Sequence, residues 1–321
     1  MNTFLRSLIT EWRRLELPTE GETFILGVSG GADSVSLLLA IDELKKAGKL
    51  DHRIIAAHFN HKLRGDESDA DEKYVRQLTT ERRIEFALGN AEINIGGNLE
   101  QNARIARYEF LTSTADSVGA LAVLTAHTMN DQAETFLMNL IRGSGPAGLC
   151  GIRPVRQFAD SGLSLVRPLL TWAKRENTER FCRDLGIDYC YDTMNDDTAF
   201  KRVRIRKILL PLLEDMNPNI IETLANTAGL MQGAAPVETA EIVETDGLAL
   251  AALRELPQST LYATIRDWLK RHRGNARSLQ LKHIQAIERL VKSAKSGRVA
   301  QVPGGRVVKS GGRLRYEENK G

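Results

Sequence analysis

Fifteen residues, Phe24–Leu38, constrain this chain more than any other stretch: F-I-L-G-V-S-G-G-A-D-S-V-S-L-L. Phe24, Ile25, Leu26 and Val28 form a short apolar run that suits a buried strand. Ser29-Gly30-Gly31-Ala32-Asp33-Ser34 then turns the chain, and Val35, Leu37, Leu38, Leu39 and Ile41 open a helix. Adjacent glycines allow positive φ and let a ligand approach with no Cβ in the way. Amide N–H groups of the loop and the first helical turn converge on one point at the positive end of the helix dipole, which suits a phosphate group. Ser29, Gly30, Gly31, Ala32, Asp33 and Ser34 are therefore the candidate nucleotide-binding residues. A Walker loop is excluded because no Lys follows Gly30 or Gly31. A dinucleotide fingerprint lacks its third glycine, where Ser34 stands. The bland alternative is an ordinary β-α turn with Ser34 as a helix cap.

At 321 residues the chain is long enough for two domains and a substantial core. Its 42% hydrophobic and 26% charged residues fit a globular protein. The net charge is only +3, so partners must be read from where the charges lie. Cys150, Cys182 and Cys190 form no CxxC, which argues against zinc fingers and a disulfide framework and suits a reducing, cytoplasmic setting. No apolar run approaches the ~20 residues of a membrane span, and no membrane association is expected. Residues 1–16 lack a signal-peptide core. Phe4, Leu5, Leu8, Ile9, Trp12 and Leu15 recur at helical spacing and predict a packing helix.

Further strands are predicted at Ile54–Phe59, Ile84–Leu88 and Ala122–Ala126. Helices are predicted at Glu67–Arg83, Ala103–Val118, Asn130–Ile141 and Thr171–Leu185. Strands alternating with long helices imply an α/β fold, a parallel twisted sheet with right-handed crossovers. Ligands bind beyond the carboxyl ends of such strands. The loops at Ser29, His58 and His127 all lie there. Gly143–Gly148 matches G-x-G-x-x-G but follows a helix, so it reads as a turn and no dinucleotide site.

Lys201–Lys207 holds five cations in seven residues, whereas Ile208–Leu253 has no Lys or Arg. That shift, with Asn217-Pro218, predicts a boundary near Met216, giving domains 1–216 and 217–321. Helices at Pro257–Lys270 and Ser278–Val291, then two or three strands over Val299–Tyr316, predict a smaller, mostly helical second domain that is basic at its end.

A phosphate cradle without a Walker lysine suggests AMP transfer: an oxygen nucleophile attacks the α-phosphate and pyrophosphate leaves. Mg²⁺ and guanidinium groups would neutralise the charge that accumulates. Asp33 and Asp131 are the carboxylates best placed to hold Mg²⁺. Arg104 and Arg107, three apart on one helix face, would grip phosphate in a fork. His58, His61, His127 and Asp131 invite a metal reading, but no H-x-x-x-H or third close ligand supports it. His127 suits general acid–base work.

The ordered motifs resemble a known family. S-G-G-x-D-S is the pattern of the PP-loop ATP enzymes, which cleave ATP between the α and β phosphates. His58-Phe59-Asn60-His61-Lys62-Leu63-Arg64, the Asn98–Tyr108 segment, Thr125-Ala126-His127 with Asp131–Thr135, Arg142–Gly145, Arg167–Leu170 and Asp192–Arg206 follow in order. Together they resemble the tRNA(Ile)-lysidine synthetase family, in its short form with one C-terminal domain. The resemblance implies an ATP- and Mg²⁺-dependent ligase acting on the wobble cytidine of a CAU-anticodon tRNA(Ile). ATP adenylates the base oxygen, and the amine of free lysine then displaces AMP to give lysidine. It implies Asp33, His127, Asp131 and Arg204 in catalysis, with His58, Arg104 and Arg107 joining the loop on ATP. His61, Arg64, Arg202 and Arg206 would touch tRNA, as would the basic C-terminal region; a homodimer is a further expectation. Thr128, Asn130 and Val203 depart from the family's usual His, Asp and Asn. Two rivals stand beside this reading: a PP-loop tRNA thiolase of the 2-thiocytidine type, and a tRNA- or ATP-binding module without catalysis.

Overall fold

The computed structural model describes residues 2–62, 66–90, 99–158, 162–190, 198–233, 247–275 and 278–318. Its first strands are β1 (Glu20–Gly27), β2 (Asp51–Asn60), β3 (Glu85–Asn90) and β4 (Ala122–Leu124), followed by β5 (Val155–Gln157) and β6 (Ser164–Val166). They make one sheet in the order β3-β2-β1-β4-β6-β5. Every pairing is parallel except β5 with β6. The four predicted strands are all present. The β5–β6 hairpin was not expected, because strands of three residues are too short to show a period-two pattern.

The helices around this sheet are α1 (Thr3–Arg14), α2 (Ala32–Lys46), α3 (Asp66–Arg82), α4 (Leu99–Val118), α5 (Met129–Ile141) and α7 (Arg175–Asp184); a short α6 (Pro146–Leu149) follows α5 in the chain. Side chains alternate across the strands and so build two cores. Phe24, Leu26, Ile54, Ala56 and Leu124 pack with Trp12 of α1, the α2 leucines, Val75 of α3 and Phe181 of α7. Ile25, Ile55, Ala57, Val123 and Leu165 face the other way, onto Leu111 and Ala115 of α4. Helices therefore cover both faces, and β1 is apolar on each because it is buried on each.

The predicted helix over Thr171–Leu185 begins only at Arg175. The Lys174 N–H donates to Asn177 Oδ1 (2.8 Å), which stops the helix one residue short of Lys174. Next come α8 (Lys201–Arg204), a π-helical turn over Ile205–Leu209, α9 (Leu210–Met216) and α10 (Ile220–Gly233). Ile205, Leu210, Ile221 and Ala225 pack on Met129, Ala133 and Leu137 of α5.

Contacts divide the chain into one unit of 1–138 with 151–229 and another of 139–150 with 230–321. Asn217, beside the predicted boundary, lies in the turn between α9 and α10. The second unit contains β7 (Leu248–Ala249), α11 (Leu250–Arg254), α12 (Gln258–Arg273), α13 (Leu281–Lys292), β8 (Val299–Val302), β9 (Gly305–Ser310) and β10 (Arg313–Glu318). Its antiparallel sheet runs β7-β10-β9-β8, and its core centres on Trp268, Leu269, Ile287 and Leu314. Lys309 Nζ donates to Leu290 O (3.0 Å) and Arg254 Nε to Val291 O (3.0 Å), so two cations close the carbonyl end of α13.

Gly89 of β3 links this packing to the site. It sits opposite Phe59 in register, and a Cβ there would fall 2.5 Å from the Phe110 ring of α4. Phe110 in turn lies 5.5 Å from the Phe59 ring. Gly89→Ala must push Phe110, and α4 with it, off the strand. We expect a loss of about 1–3 kcal/mol, read as a lowered urea midpoint with an unchanged slope.

Candidate functional site

The sheet order reverses between β1 and β4, so the chain leaves these neighbours in opposite directions and opens a crevice at their carboxyl ends. The cleft found there has a volume of about 700 Å³. Ser29, Gly31, Ala32, Asp33 and Ser34 form one wall. Gly30 alone takes a positive φ, +93°. A Cβ on it would fall 3.0 Å from Cys190 Sγ, and the Cys190 N–H donates to Gly30 O (2.9 Å). Glycine is therefore required by backbone and by packing alike. Gly31 is extended and precedes α2 without a side-chain cap. The bland reading of Ser34 as a helix cap does not hold. Ser34 is the third helical residue, and its Oγ accepts from the Ser29 N–H (3.1 Å) and donates to Gly31 O (3.0 Å), folding the loop on itself.

From the loop's own Asp33 across to α5, three acids meet three arginines. Glu134 of α5 has a fully buried side chain. It accepts Arg202 Nε on Oε2 (2.6 Å) and Arg206 Nε on Oε1 (2.7 Å). Arg202 Nη2 also reaches Asp131 Oδ1 (2.9 Å). Asp131 Oδ2 accepts the Thr128 N–H (2.9 Å) and the Thr128 hydroxyl (3.1 Å), which closes the first turn of α5. Asp33 accepts the Thr178 hydroxyl on Oδ1 (2.5 Å), and Arg175 Nε stands 3.7 Å from its Oδ2. Burial pushes the Asp33 carboxyl up to about 6; Arg175 and Thr178 pull it down, while Asp131 and Glu179 push it further up. For Asp131 burial acts upward too, but the Arg202 and Arg175 guanidiniums outweigh it and hold the group below its ordinary range.

Histidines and a second arginine group complete the cleft. His58 is buried, and its Nδ1 meets Val28 O at 2.8 Å, so Nδ1 carries the proton. Burial lowers its pKa. His127 Nδ1 lies 3.1 Å from Thr125 Oγ1. Burial, with Arg167, Arg107 and Arg104 behind it, holds His127 neutral against the pull of Asp131. In the ligand-free site it is thus neutral and no general acid. Arg104 Nη2 reaches the Tyr108 hydroxyl at 3.4 Å, and the Arg107 guanidinium lies 5.6 Å from the Tyr108 ring centre. Arg167 is buried, donates Nη1 to Arg153 O (2.6 Å), and has no partner for Nε among the described residues. A buried guanidinium (Arg167), a half-buried one (Arg107) and an exposed one (Arg104) gathered around a phenol suit an anion.

The cleft brings together Ser29, Gly31, Ala32, Asp33, Ser34, His58, His61, Arg107, His127, Asp131 and Arg206 from the predicted set. Arg202 stands behind Asp131, and Arg104 beside Tyr108. Arg204 is exposed on α8 and does not line the cleft. Arg64 and the 192–197 part of the last motif lie outside the described residues. Sequence reasoning missed Glu134, Arg175 and Thr178. One signal was available for Arg175: a Lys-Arg pair at a helix start opposes the helix dipole.

Asp33 and Asp131 suit Mg²⁺ by donor type, since both are oxygen ligands in one cleft. Asp131 pushes the Asp33 carboxyl up, by less than the Arg175 guanidinium pulls it down, so the two carboxylates act on each other within the cleft.

A PP-loop domain model matches residues 5–213, and a TilS substrate binding domain model matches residues 248–315. A tRNA(Ile)-lysidine synthase of Geobacter sulfurreducens is 35% identical over 297 residues, covering 87% of this chain and 61% of the relative. The chain thus spans about three fifths of that relative's length. The tRNA(Ile)-lysidine synthase of Salinispora tropica is 33% identical over 315 residues, covering 94% of this chain and 92% of the relative. Among solved structures, the U34-tRNA thiolase NcsA of Methanococcus maripaludis with its [4Fe-4S] cluster aligns with a TM-score of 0.59 at 14% identity, over 73% of this chain and 81% of that one. That likeness shows the fold alone. With a phosphate loop at the switch point, both domain models in sequence order and a relative matched almost end to end, the chain belongs to the tRNA(Ile)-lysidine synthase family.

Proposed function

We propose that the protein converts the wobble cytidine of a CAU-anticodon tRNA(Ile) to lysidine, using ATP and free lysine. The observation that carries this reading is the convergence, in one cleft, of a phosphate loop, the carboxylates Asp33 and Asp131 and the guanidiniums Arg107, Arg175 and Arg206. Such a set binds a nucleotide and receives the charge of a departing pyrophosphate. We assign catalysis to residues 1–216 and tRNA contact to 217–321, with Arg202 and Arg206 tied back to Glu134 and the basic C-terminal region on the RNA backbone.

In the first step the cytosine oxygen on carbon 2 attacks the α-phosphorus, and the bond to the β-phosphate oxygen breaks. The loop amides hold the pyrophosphate end. Asp33 and Asp131 would hold Mg²⁺, which supplies charge neutralisation when bound. In the second step the lysine ε-amine attacks carbon 2 and AMP leaves with the oxygen. The amine gives up one proton before attack and one after it. The burial that keeps His127 neutral also makes it a weak base, so Asp33, whose carboxyl is pushed up to about 6, is the cleft group better suited to accept one.

Two of the three thiols disfavour the thiolase alternative; the third, Cys190, is half-buried and lines the cleft. Cys182 is buried with Sγ 3.7 Å from Ala32 O, and burial pushes its pKa up to about 12, which leaves it un-ionised at working pH. Cys150 is also buried, with Sγ 3.4 Å from Pro146 O.

Two outcomes are expected. Nucleosides from a CAU-anticodon tRNA(Ile) transcript, incubated with protein, ATP, Mg²⁺ and lysine, should contain lysidine by mass spectrometry, with AMP released. Omitting lysine should abolish the lysidine, whereas AMP without lysidine in the complete mixture would refute the lysine assignment. Asp33→Asn should remove activity yet stabilise the fold. With the Asp33 pKa at about 6, above the ordinary 3.9 or so, the native state binds more protons than the unfolded state between those values. Stability therefore falls as pH rises through that window and stays reduced above it. At pH 8 without magnesium, Asp33→Asn should gain up to about 3 kcal/mol, measured by urea unfolding.

A further inference from the structure

Arg175 is the first residue of α7, at the positive end of the helix dipole, where a cation is disfavoured. Lys174 beside it is offset by Glu222 at 2.9 Å. Arg175 has no such close partner. Its Nε lies 3.7 Å from Asp33 Oδ2 and its Nη2 lies 3.8 Å from Glu134 Oε1, both beyond hydrogen-bond reach. Among the described residues its guanidinium donates no hydrogen bond. Arg202 and Arg206 close on the same Glu134 at 2.6 and 2.7 Å, so the carboxylate is already taken. A guanidinium acting only as a counter-ion would close its hydrogen bonds as those two do.

The backbone at Arg175 is nevertheless fixed. Its N–H donates to Asn130 Oδ1 (2.9 Å), and the Met129 N–H donates to Ala173 O (2.9 Å), which ties the start of α7 to the start of α5. The side chain lines the cleft, with Asp33, Asp131 and Glu134 orienting it from a distance. It is a held guanidinium whose forked donors face the cleft unspent. Such donors suit a phosphate oxygen on which charge develops.

We propose that Arg175 is a catalytic residue of the adenylation step, donating to the α-phosphoryl oxygens as the cytosine oxygen bonds to phosphorus and pyrophosphate leaves. This rests on the function proposed above. No proton moves in the step, so a fixed cation is the appropriate group, and the electron pair of the broken bond departs with pyrophosphate.

The test is single-turnover pyrophosphate release from ATP and CAU-anticodon tRNA(Ile), without lysine, for the parent, Arg175→Gln and Arg175→Lys. ATP affinity is measured in parallel by calorimetry. We expect Arg175→Gln to lose about 100-fold in rate at saturating ATP, with ATP affinity changed less than about fivefold. Arg175→Lys keeps the charge among the acids, and so the fold, but lacks the fork; it should remain at least about tenfold slow. Parent-like rates in Arg175→Gln would overturn the assignment. So would full activity in Arg175→Lys, which would reduce Arg175 to a counter-ion, or a defect in either variant cured by raising ATP. A parent protein that releases no pyrophosphate would overturn the underlying function and the assignment with it. A working parent with working variants overturns Arg175 alone.

Discussion

The parallel pairing of β1 with both β2 and β4 is the constraint from which the rest follows. A strand with parallel neighbours on each side cannot be reached by hairpins, so each connection must cross a face of the sheet as a helix. Phe24 and Leu26 are then buried under α1 and α2, and Ile25 under α4. The same pairing makes the chain leave β1 toward one side and β4 toward the other. A crevice at their ends is unavoidable, and its walls are the turns that follow. The phosphate loop and the Thr125–Asp131 turn meet because of strand order, without any contact between their side chains being required.

What that crevice encloses is electrostatically expensive. Asp33, Asp131 and Glu134 lie close enough that Arg175 feels all three acids. Their cost is offset unevenly. Glu134 is fully satisfied by Arg202 and Arg206, and Asp131 by Thr128 and Arg202. Asp33 has one strong hydrogen bond, from Thr178, and a distant arginine. A buried charge left short of partners is kept only where a ligand completes it. The nucleotide end of the site is therefore the unfinished end, whereas the Arg202–Arg206 end is already built. That division explains why the basic Lys201–Lys207 segment is partly structural. Two of its cations are tied to one buried carboxylate, and Lys201, Arg204 and Lys207 are exposed.

The fold was legible in the sequence because its determinants are local. Apolar runs marked β1 to β4, and helical spacing marked α2 to α5 within a few residues. The loop residues were legible too, since Gly30 and Asp33 follow the end of β1. Glu134 and Thr178 were not. Each earns its place through a partner more than 60 residues away, Arg202 at a separation of 68 and Asp33 at 145. No periodicity encodes such a pairing. The β5–β6 hairpin escaped for the opposite reason, being too short to carry a pattern of its own. Arg175 was readable in principle, as a cation against a helix dipole, but only once the helix start is placed at Arg175 rather than at Thr171.

Three residues that differ from the family's usual pattern test whether the site is degenerate, and each is occupied structurally. Val203 is buried, at 7% exposure, on a segment whose neighbouring Ile205 packs on α5, so an apolar side chain fits that position. Thr128 is fully buried and gives Asp131 both its N–H and its hydroxyl. Asn130 accepts the Arg175 N–H through its carboxamide oxygen. An aspartate there would accept the same bond but add a fourth negative charge beside Asp33, Asp131 and Glu134. It would push the Asp33 carboxyl higher still and draw the Arg175 guanidinium toward itself. A neutral acceptor fixes the backbone of α7 while leaving that guanidinium to the cleft, so Asn130 and Arg175 are consistent with one another as a pair.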